Sequence, residues 1–327
     1  MSPSFGPPSV LIRFSVRPRC DAKAVGPTAF RCLTFLGFLI LAGSTDGLSA
    51  EPSRVEPPTT KISPTYDLTY NEVDGDAGKC DVFLPADDGG ASLRPAVLVI
   101  HGGGWMSGDK WTMAAYGQKL ARAGYVAISI NYRLAPTHKF PAQVDDVRQA
   151  LLWIRGRAEK YRIDLERLGL FGYSAGGHLS ALTALLADEP VDRQTAASDW
   201  PVDDPRWKDL PKIKTVCVGG PPCDFRLLPP GNTSLAYFLG GSRSELPEIY
   251  EAASPTAQVS PDDPPIQIVH GIDDLLVPIS GSRGLQKAMI GAGVLCELKE
   301  LPGRGHMLTF LDDRTNQTML QWFGRQL

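Results

Sequence analysis

Phe171-Gly172-Tyr173-Ser174-Ala175-Gly176-Gly177 decides the reading of this chain. It holds Gly-x-Ser-x-Gly between a β-like run, Leu168 to Phe171, and a helical run, His178 to Ala187. A sharp strand-to-helix turn strains its central residue and lifts that side chain to the C-terminal edge of a sheet. Small neighbours are needed where the two backbones pass, and Gly172 and Gly176 supply them. The start of the following helix adds unpaired N–H groups and the positive end of its dipole. Glycine and serine also make ordinary loops, so the flanking motifs must separate a nucleophile elbow from a plain turn.

Upstream, Pro95 to Ile100 (PAVLVI) is an apolar, β-branched run of the kind that fills a strand buried on both faces. It ends in His101-Gly102-Gly103-Gly104-Trp105, whose glycines leave backbone N–H groups unshielded and free to meet a developing oxyanion. Downstream, Pro265 to Val269 is a short apolar strand running into His270-Gly271-Ile272-Asp273-Asp274-Leu275-Leu276-Val277-Pro278. A carboxylate just past a strand end is suited to orient a histidine, and Gly303-Arg304-Gly305-His306 follows after one more helix and strand. The order serine, aspartate, histidine is that of α/β-hydrolases.

The rest of the chain fits one α/β domain. Thr65–Val73 and Lys79–Leu84 read as two strands joined through Asp74-Gly75-Asp76, a hairpin signal. Helices are predicted over 112–123, 144–160, 280–290 and 314–326, and strands over 125–130, 167–171, 215–218, 265–269 and 294–300. Asp145 and Asp146 fall in a first helical turn, where the dipole favours them. This alternation predicts a mostly parallel sheet flanked by helices on both faces, with the opening hairpin antiparallel. Two polar insertions interrupt it, at 188–212 and 221–263.

The chain has 327 residues, a formal net charge of −3 and 43% hydrophobic residues, ample for a core. No basic patch stands out, so nucleic acid is not an expected partner. Residues 1–50 read as a leader. Leu33 to Gly43 is an apolar run too short to span a bilayer comfortably, and Leu48-Ser49-Ala50 before Glu51 is a cleavage-like site. Export to the periplasm or beyond follows, without stable membrane insertion once the leader is removed; the competing reading is an N-terminal membrane anchor. Residues 51–64 read as a Pro-rich linker and 65–327 as an α/β-hydrolase domain. Cys80, Cys217, Cys223 and Cys296 remain after the leader. Buried free thiols are the expectation, with a Cys217–Cys223 bridge as the alternative after export.

The HGGGW loop, Asn131-Tyr132-Arg133-Leu134-Ala135-Pro136, Phe140-Pro141-Ala142 with Asp145-Asp146, and Gly172-Tyr173-Ser174-Ala175-Gly176-Gly177-His178 together resemble the α/β-hydrolase esterases. The likeness is to the hormone-sensitive-lipase-like group and its bacterial acetyl and feruloyl esterase relatives, over about residues 65–327. It implies Ser174 as nucleophile, Asp274 and His306 as triad partners, and an oxyanion hole from Gly103, Gly104 and Ala175. It also implies an ester substrate, small or saccharide-linked, and no metal or organic cofactor. The chain departs in lacking room for the helical N-terminal cap of the hormone-sensitive-lipase-like enzymes, because Glu51 to Pro64 is short and proline-rich. That leaves pocket shape to the two insertions. Trp105 is expected to touch substrate, with Trp200 and Trp207 as further candidates. His101 and His178 are expected to brace structure, His270 to be a satisfied buried histidine, and His138 to be solvated. Arg133 is expected to pair with Asp145 or Asp146. The competing activities on this fold are an arylformamidase and a serine peptidase, and the competing class is a binding protein without catalysis.

Overall fold

The computed structural model describes residues 61–73, 75–86 and 92–327. The leader and most of the stretch read as linker lie outside the described residues. Eight strands form one sheet: β1 (Ile62–Thr69), β2 (Lys79–Pro85), β3 (Arg94–Ile100), β4 (Val126–Ile130), β5 (Ile163–Tyr173), β6 (Thr215–Gly219), β7 (Ile266–Gly271) and β8 (Cys296–Leu301). Their order is β1-β2-β4-β3-β5-β6-β7-β8. β1, β2 and β4 pair antiparallel, and every pairing from β4 through β3 to β8 is parallel. The first strand begins at Ile62, three residues before the expected linker boundary. Pro64 is tolerated there because β1 is an edge strand, where a missing N–H breaks no ladder.

The parallel strands are apolar on both faces because both faces are covered. In β3, Ala96, Leu98 and Ile100 pack with α2 (Ala142–Gly156), α3 (Ala175–Leu186) and α4 (Ser280–Gly291). Val97 and Val99 point the other way, to α1 (Ala114–Arg122) and α6 (Asp313–Gln326), where Tyr116, Leu120, Trp322 and Phe323 close the second core. A strand's period of two thus serves two cores at once.

β3 places the site. Its neighbours β4 and β5 lie on opposite sides of it, so the loops leaving β3 and β5 diverge at a switch point. In open α/β sheets the carboxyl edge at such a point is where ligands bind. The HGGGW loop leaves β3 there and Ser174 leaves β5. The loops after β6, β7 and β8 open on the same edge.

Several details differ from the expectations. α2 spans Ala142–Gly156, starting two residues early, and a separate short helix follows at Ala158–Tyr161. Asp145 lies in the first turn of α2, as expected. Asp145 and Asp146 are both buried in ion pairs, Asp145 with Arg148 at 3.1 Å and Asp146 with Arg133 at 2.9 Å. The second pair is the expected Arg133 clamp. β5 runs eleven residues where four or five were read. Cys217 and Cys223 are free and buried, as are Cys80 and Cys296, so no bridge joins them.

Candidate active site

Ser174 sits at φ 55° and ψ −120°, a conformation that costs a non-glycine residue about 1–3 kcal/mol. Packing enforces it. A Cβ on Gly172 would stand 2.1 Å from the Gly176 carbonyl oxygen, and one on Gly176 would stand 2.1 Å from that of Ile100. Neither clash involves a side chain that can move aside, so the elbow requires both glycines. The Ser174 N–H donates to Gly219 O at 2.7 Å, tying the turn to the end of β6.

Asp274 follows β7 and is buried. Its Oδ1 accepts from the N–H groups of Leu276 and Val277, at 3.0 and 2.8 Å. Its Oδ2 accepts from His306 Nδ1 at 2.6 Å. A carboxylate can only accept, so the proton is on Nδ1 and Nε2 is left as the basic nitrogen. His306 opens a short helix, α5 (His306–Leu311), after β8. Its ring lies against Gly220, where a Cβ would come 3.1 Å from Cε1, and edge-on to Tyr173 at 5.3 Å. The Tyr173 hydroxyl donates to the His306 carbonyl at 2.6 Å. Asp273 is exposed. Among the described residues no hydrogen bond joins Ser174 Oγ to His306. Such contacts are often long in ligand-free sites and tighten with substrate.

The HGGGW loop lies against the elbow. A Cβ on Gly102 would stand 3.2 Å from that of Ser174. Gly103, Gly104 and Trp105 take φ of 115°, 62° and 59°, a left-handed run that only glycines enter freely. Ser107 secures it by donating from both N–H and Oγ to Gly103 O, at 3.1 and 2.9 Å. Among the described residues nothing accepts from the N–H groups of Gly103, Gly104 or Ala175.

The other histidines are fixed. His101 stacks on Tyr132 at 4.2 Å and donates from Nδ1 to Gly102 O at 2.7 Å. Burial lowers its pKa to about 4, so the ring braces the loop as a neutral group. His178, also brought to about 4 by burial, meets Ala253 O through Nε2 at 2.8 Å. A carbonyl only accepts, so Nδ1 is bare and receives the indole N–H of Trp105 at 3.2 Å. Trp105 is further stacked on Phe238 at 4.3 Å. His138 is half-buried rather than solvated, with its backbone carbonyl accepting from Gln143.

A cavity of about 410 Å³ opens on Ser174, Gly104 and Ala175. Trp105, Phe225, Leu228, Leu235, Tyr237 and Val277 form much of its largely apolar wall. Asp224, also at the wall, is neutralised by Arg226 at 2.8 Å. Only the insertion at 221–263 contributes here. The one at 188–212 borders a separate cavity with Arg148, Thr183 and Pro265, among others, so it does not shape this pocket. Trp207 faces that other cavity, stacked beneath Arg148, and Trp200 packs against Trp207 at 5.1 Å.

Two contributors escaped the sequence reading. Tyr237 donates from its hydroxyl to Gly104 O at 2.9 Å, pinning the glycine loop from above. His270, read as a satisfied buried histidine, touches Asp274 itself at 3.2 Å. The adjoining Gly219-Gly220-Pro221-Pro222 after a buried strand was the available signal that a loop there reaches the site.

The family model described as BD-FAE matches residues 80–289. Esterase LipC of Mycobacterium tuberculosis is 30% identical over 232 residues, covering 68% of this chain and 56% of that protein. LipM of the same organism, a probable carboxylic ester hydrolase, is 30% identical over 236 residues, covering 67% and 50%. The chain thus spans about half the length of these curated relatives. Among solved structures, a truncated form of a carbohydrate esterase from gut microbiota superposes with a TM-score of 0.71 at 26% identity. That match covers 81% of this chain and 96% of the other.

Proposed function

Because the chain belongs to the BD-FAE family and carries an α/β-hydrolase sheet, we propose that it is a serine carboxylesterase. It hydrolyses short-chain acyl esters, acetyl and feruloyl esters of saccharides among them, through an acyl-enzyme. The observation that carries this reading is the 2.6 Å bond from His306 Nδ1 to Asp274, beside a serine held at φ 55°.

Serine at its free pKa is a poor nucleophile, so His306 Nε2 takes the Ser174 proton as Oγ attacks the ester carbonyl. Asp274 keeps the ring in the tautomer that leaves Nε2 basic and stabilises the imidazolium that forms. The N–H groups of Gly103, Gly104 and Ala175 receive the oxyanion, each donor worth about 100- to 1000-fold in rate. His306 returns the proton to the leaving alcohol, and water then attacks the acyl-enzyme by the same route. Trp105, held by His178 and Phe238, supplies a rigid apolar wall for the substrate.

Substrate scope rests on the cavity. Its volume of about 410 Å³ lies toward the small end of ligand sites, roughly 300–1,000 Å³. A pocket gains about 0.8 kcal/mol per methylene it buries, and no further once the chain leaves it. The names borne by relatives point the same way, toward esters and, for one solved structure, carbohydrate esters.

A fluorophosphonate probe should label the protein, and Ser174→Ala should abolish labelling while leaving thermal unfolding in place. For p-nitrophenyl esters, kcat/KM should peak between acetate and butyrate. A peak at decanoate or beyond with activation at an oil–water interface would mean a lipase. Faster turnover of N-formylkynurenine than of any ester would mean an arylformamidase.

A further inference from the structure

His270 is the last residue but one of β7, four positions before Asp274, and its side chain is fully buried. Its Nε2 lies 2.8 Å from Val277 O and 3.2 Å from Asp274 Oδ2. Both are acceptors, so Nε2 carries the proton; it donates to Val277 O, and the Asp274 carboxylate lies in close electrostatic contact beside it. Nδ1 is therefore bare and accepts the Ser282 hydroxyl, 2.7 Å away on α4. The tautomer is thus fixed from both sides of the ring. The Val277 N–H in turn donates to Asp274 Oδ1 at 2.8 Å, so His270 grips the turn at its carbonyl and lies against Oδ2, the oxygen that accepts from His306.

We propose that His270, oriented by Ser282, is a positioning residue that aims the Asp274 carboxylate at His306. The proposal deepens the reading of Ser174, Asp274 and His306 as a triad and rests on it. Asp274 Oδ2 stands between two imidazoles, and only one of them can usefully become a cation. His306 is only partly buried, whereas the His270 side chain is fully buried, and burial lowers its pKa below the ordinary histidine range. The charged or titratable groups facing it are Asp274, His306 and Glu300, its register partner on β8, which Arg283 neutralises at 2.8 Å. A neutral His270 leaves the full charge of the carboxylate to the imidazolium of His306. Its hold on the Val277 carbonyl and its ring against Oδ2 keep the carboxylate from turning away. A carboxylate held only by the two N–H groups on Oδ1 would be free to swing Oδ2 off the His306 ring.

Two amide substitutions test this. The glutamine amide nitrogen reaches the position of ring Nε2, whereas the asparagine amide ends near Nδ1, facing Ser282. His270→Asn should lower kcat by about 100-fold, the usual cost of misaligning a catalytic group, with KM unchanged. The acid limb of its kcat/KM profile should move to lower pH, because the His306 imidazolium has lost support. The low-field proton resonance of the 2.6 Å His306–Asp274 bond should disappear. His270→Gln should retain the resonance and keep kcat within roughly fivefold of wild type, about one net hydrogen bond. Equal losses in the two variants overturn the proposal, as does a lower melting temperature with kcat, pH limb and resonance unchanged. Should His270→Asn not fold, loss of the resonance in a folded His270→Gln overturns it alone. The resonance is read without substrate, so a wrong ester assignment leaves it untouched. Ser174→Ala tests that assignment without disturbing His270.

Discussion

Replacing Asp274 by asparagine should disable the site through a tautomer, and the structure says which. The two oxygens of Asp274 are not equivalent. Oδ1 accepts two backbone N–H groups, from Leu276 at 3.0 Å and Val277 at 2.8 Å. An asparagine must keep its oxygen there, since an NH₂ facing two N–H donors would leave three buried donors unsatisfied, at about 1–3 kcal/mol each. Its NH₂ therefore occupies the Oδ2 position, 2.6 Å from His306 Nδ1. Nδ1 must then accept, the proton moves to Nε2, and no base faces Ser174. The wrong tautomer in a serine triad costs about 10⁴-fold in kcat. That is about 5.5 kcal/mol at 1.36 kcal/mol per decade. His270 Nε2–H, 3.2 Å away, would then face the new NH₂ instead of a carboxylate, so some stability is lost as well. The assay is kcat on p-nitrophenyl acetate near pH 7.5, with melting temperature measured alongside. Asp273 is exposed, and Asp273→Asn should leave kcat within about twofold, as surface changes do. An Asp274→Asn enzyme keeping more than a tenth of its activity, or Asp273→Asn as the crippling change, would refute the reasoning.

Three further outcomes are expected. Tyr237→Phe removes the hydroxyl that holds Gly104 O at 2.9 Å and should lower kcat about 3- to 10-fold, the worth of one hydrogen bond, with KM little changed; an unaltered kcat would free the loop from Tyr237. Burial raises the Asp263 carboxyl from 3.8 to about 7, so the folded chain holds a proton there that the unfolded chain has lost between about pH 4 and 7. Stability from this group therefore falls as pH rises through that window, and Asp263→Asn should gain melting temperature over wild type at pH 8 but not at pH 5; a pH-independent difference would contradict it. On the export reading, mass spectrometry of protein from the native host should find the mature N-terminus near Glu51, and a cytosolic chain starting at Met1 would end that reading.

The candidate site residues could be picked out from sequence because each belongs to a motif whose chemistry is local. Ser174 needs two glycines within two residues of it, the oxyanion loop needs bare backbone, and Asp274 and His306 each follow a strand end closely. What was not legible is contact across the chain. Tyr237 meets Gly104 across 133 residues, and nothing in the helical piece that carries it marks its hydroxyl as functional. His270 was seen, but a strand-end histidine before glycine reads the same whether its ring touches a carbonyl or a carboxylate. The start of α3 was misplaced for a related reason. Gly176 and Gly177 are poor helix formers, so the helix was read from His178, yet it begins at Ala175. Tertiary packing overrides propensity there, because only glycine lets the first turn pass the carbonyls ending β3.

The two insertions show a rule that the sequence contained and composition obscured. Both are polar and carry Pro, Asp and Arg, and on composition alone each was a candidate to shape the pocket. Connectivity separates them. In a parallel sheet with crossover helices, a segment following a strand emerges at the carboxyl edge, and one following a helix emerges at the opposite edge. Residues 221–263 follow β6, so they fall beside Ser174 and bring Phe225, Tyr237 and Phe238 to Trp105 and the glycine loop. Residues 188–212 follow α3, so they fall where β6 begins, and their two tryptophans stack with Arg206 and Arg148 instead of facing substrate. The position of Trp200 and Trp207 was therefore decided by the element before them. Pocket mutagenesis aimed at specificity belongs in 221–263, and changes at 188–212 should move stability and leave the acyl-chain profile where it is.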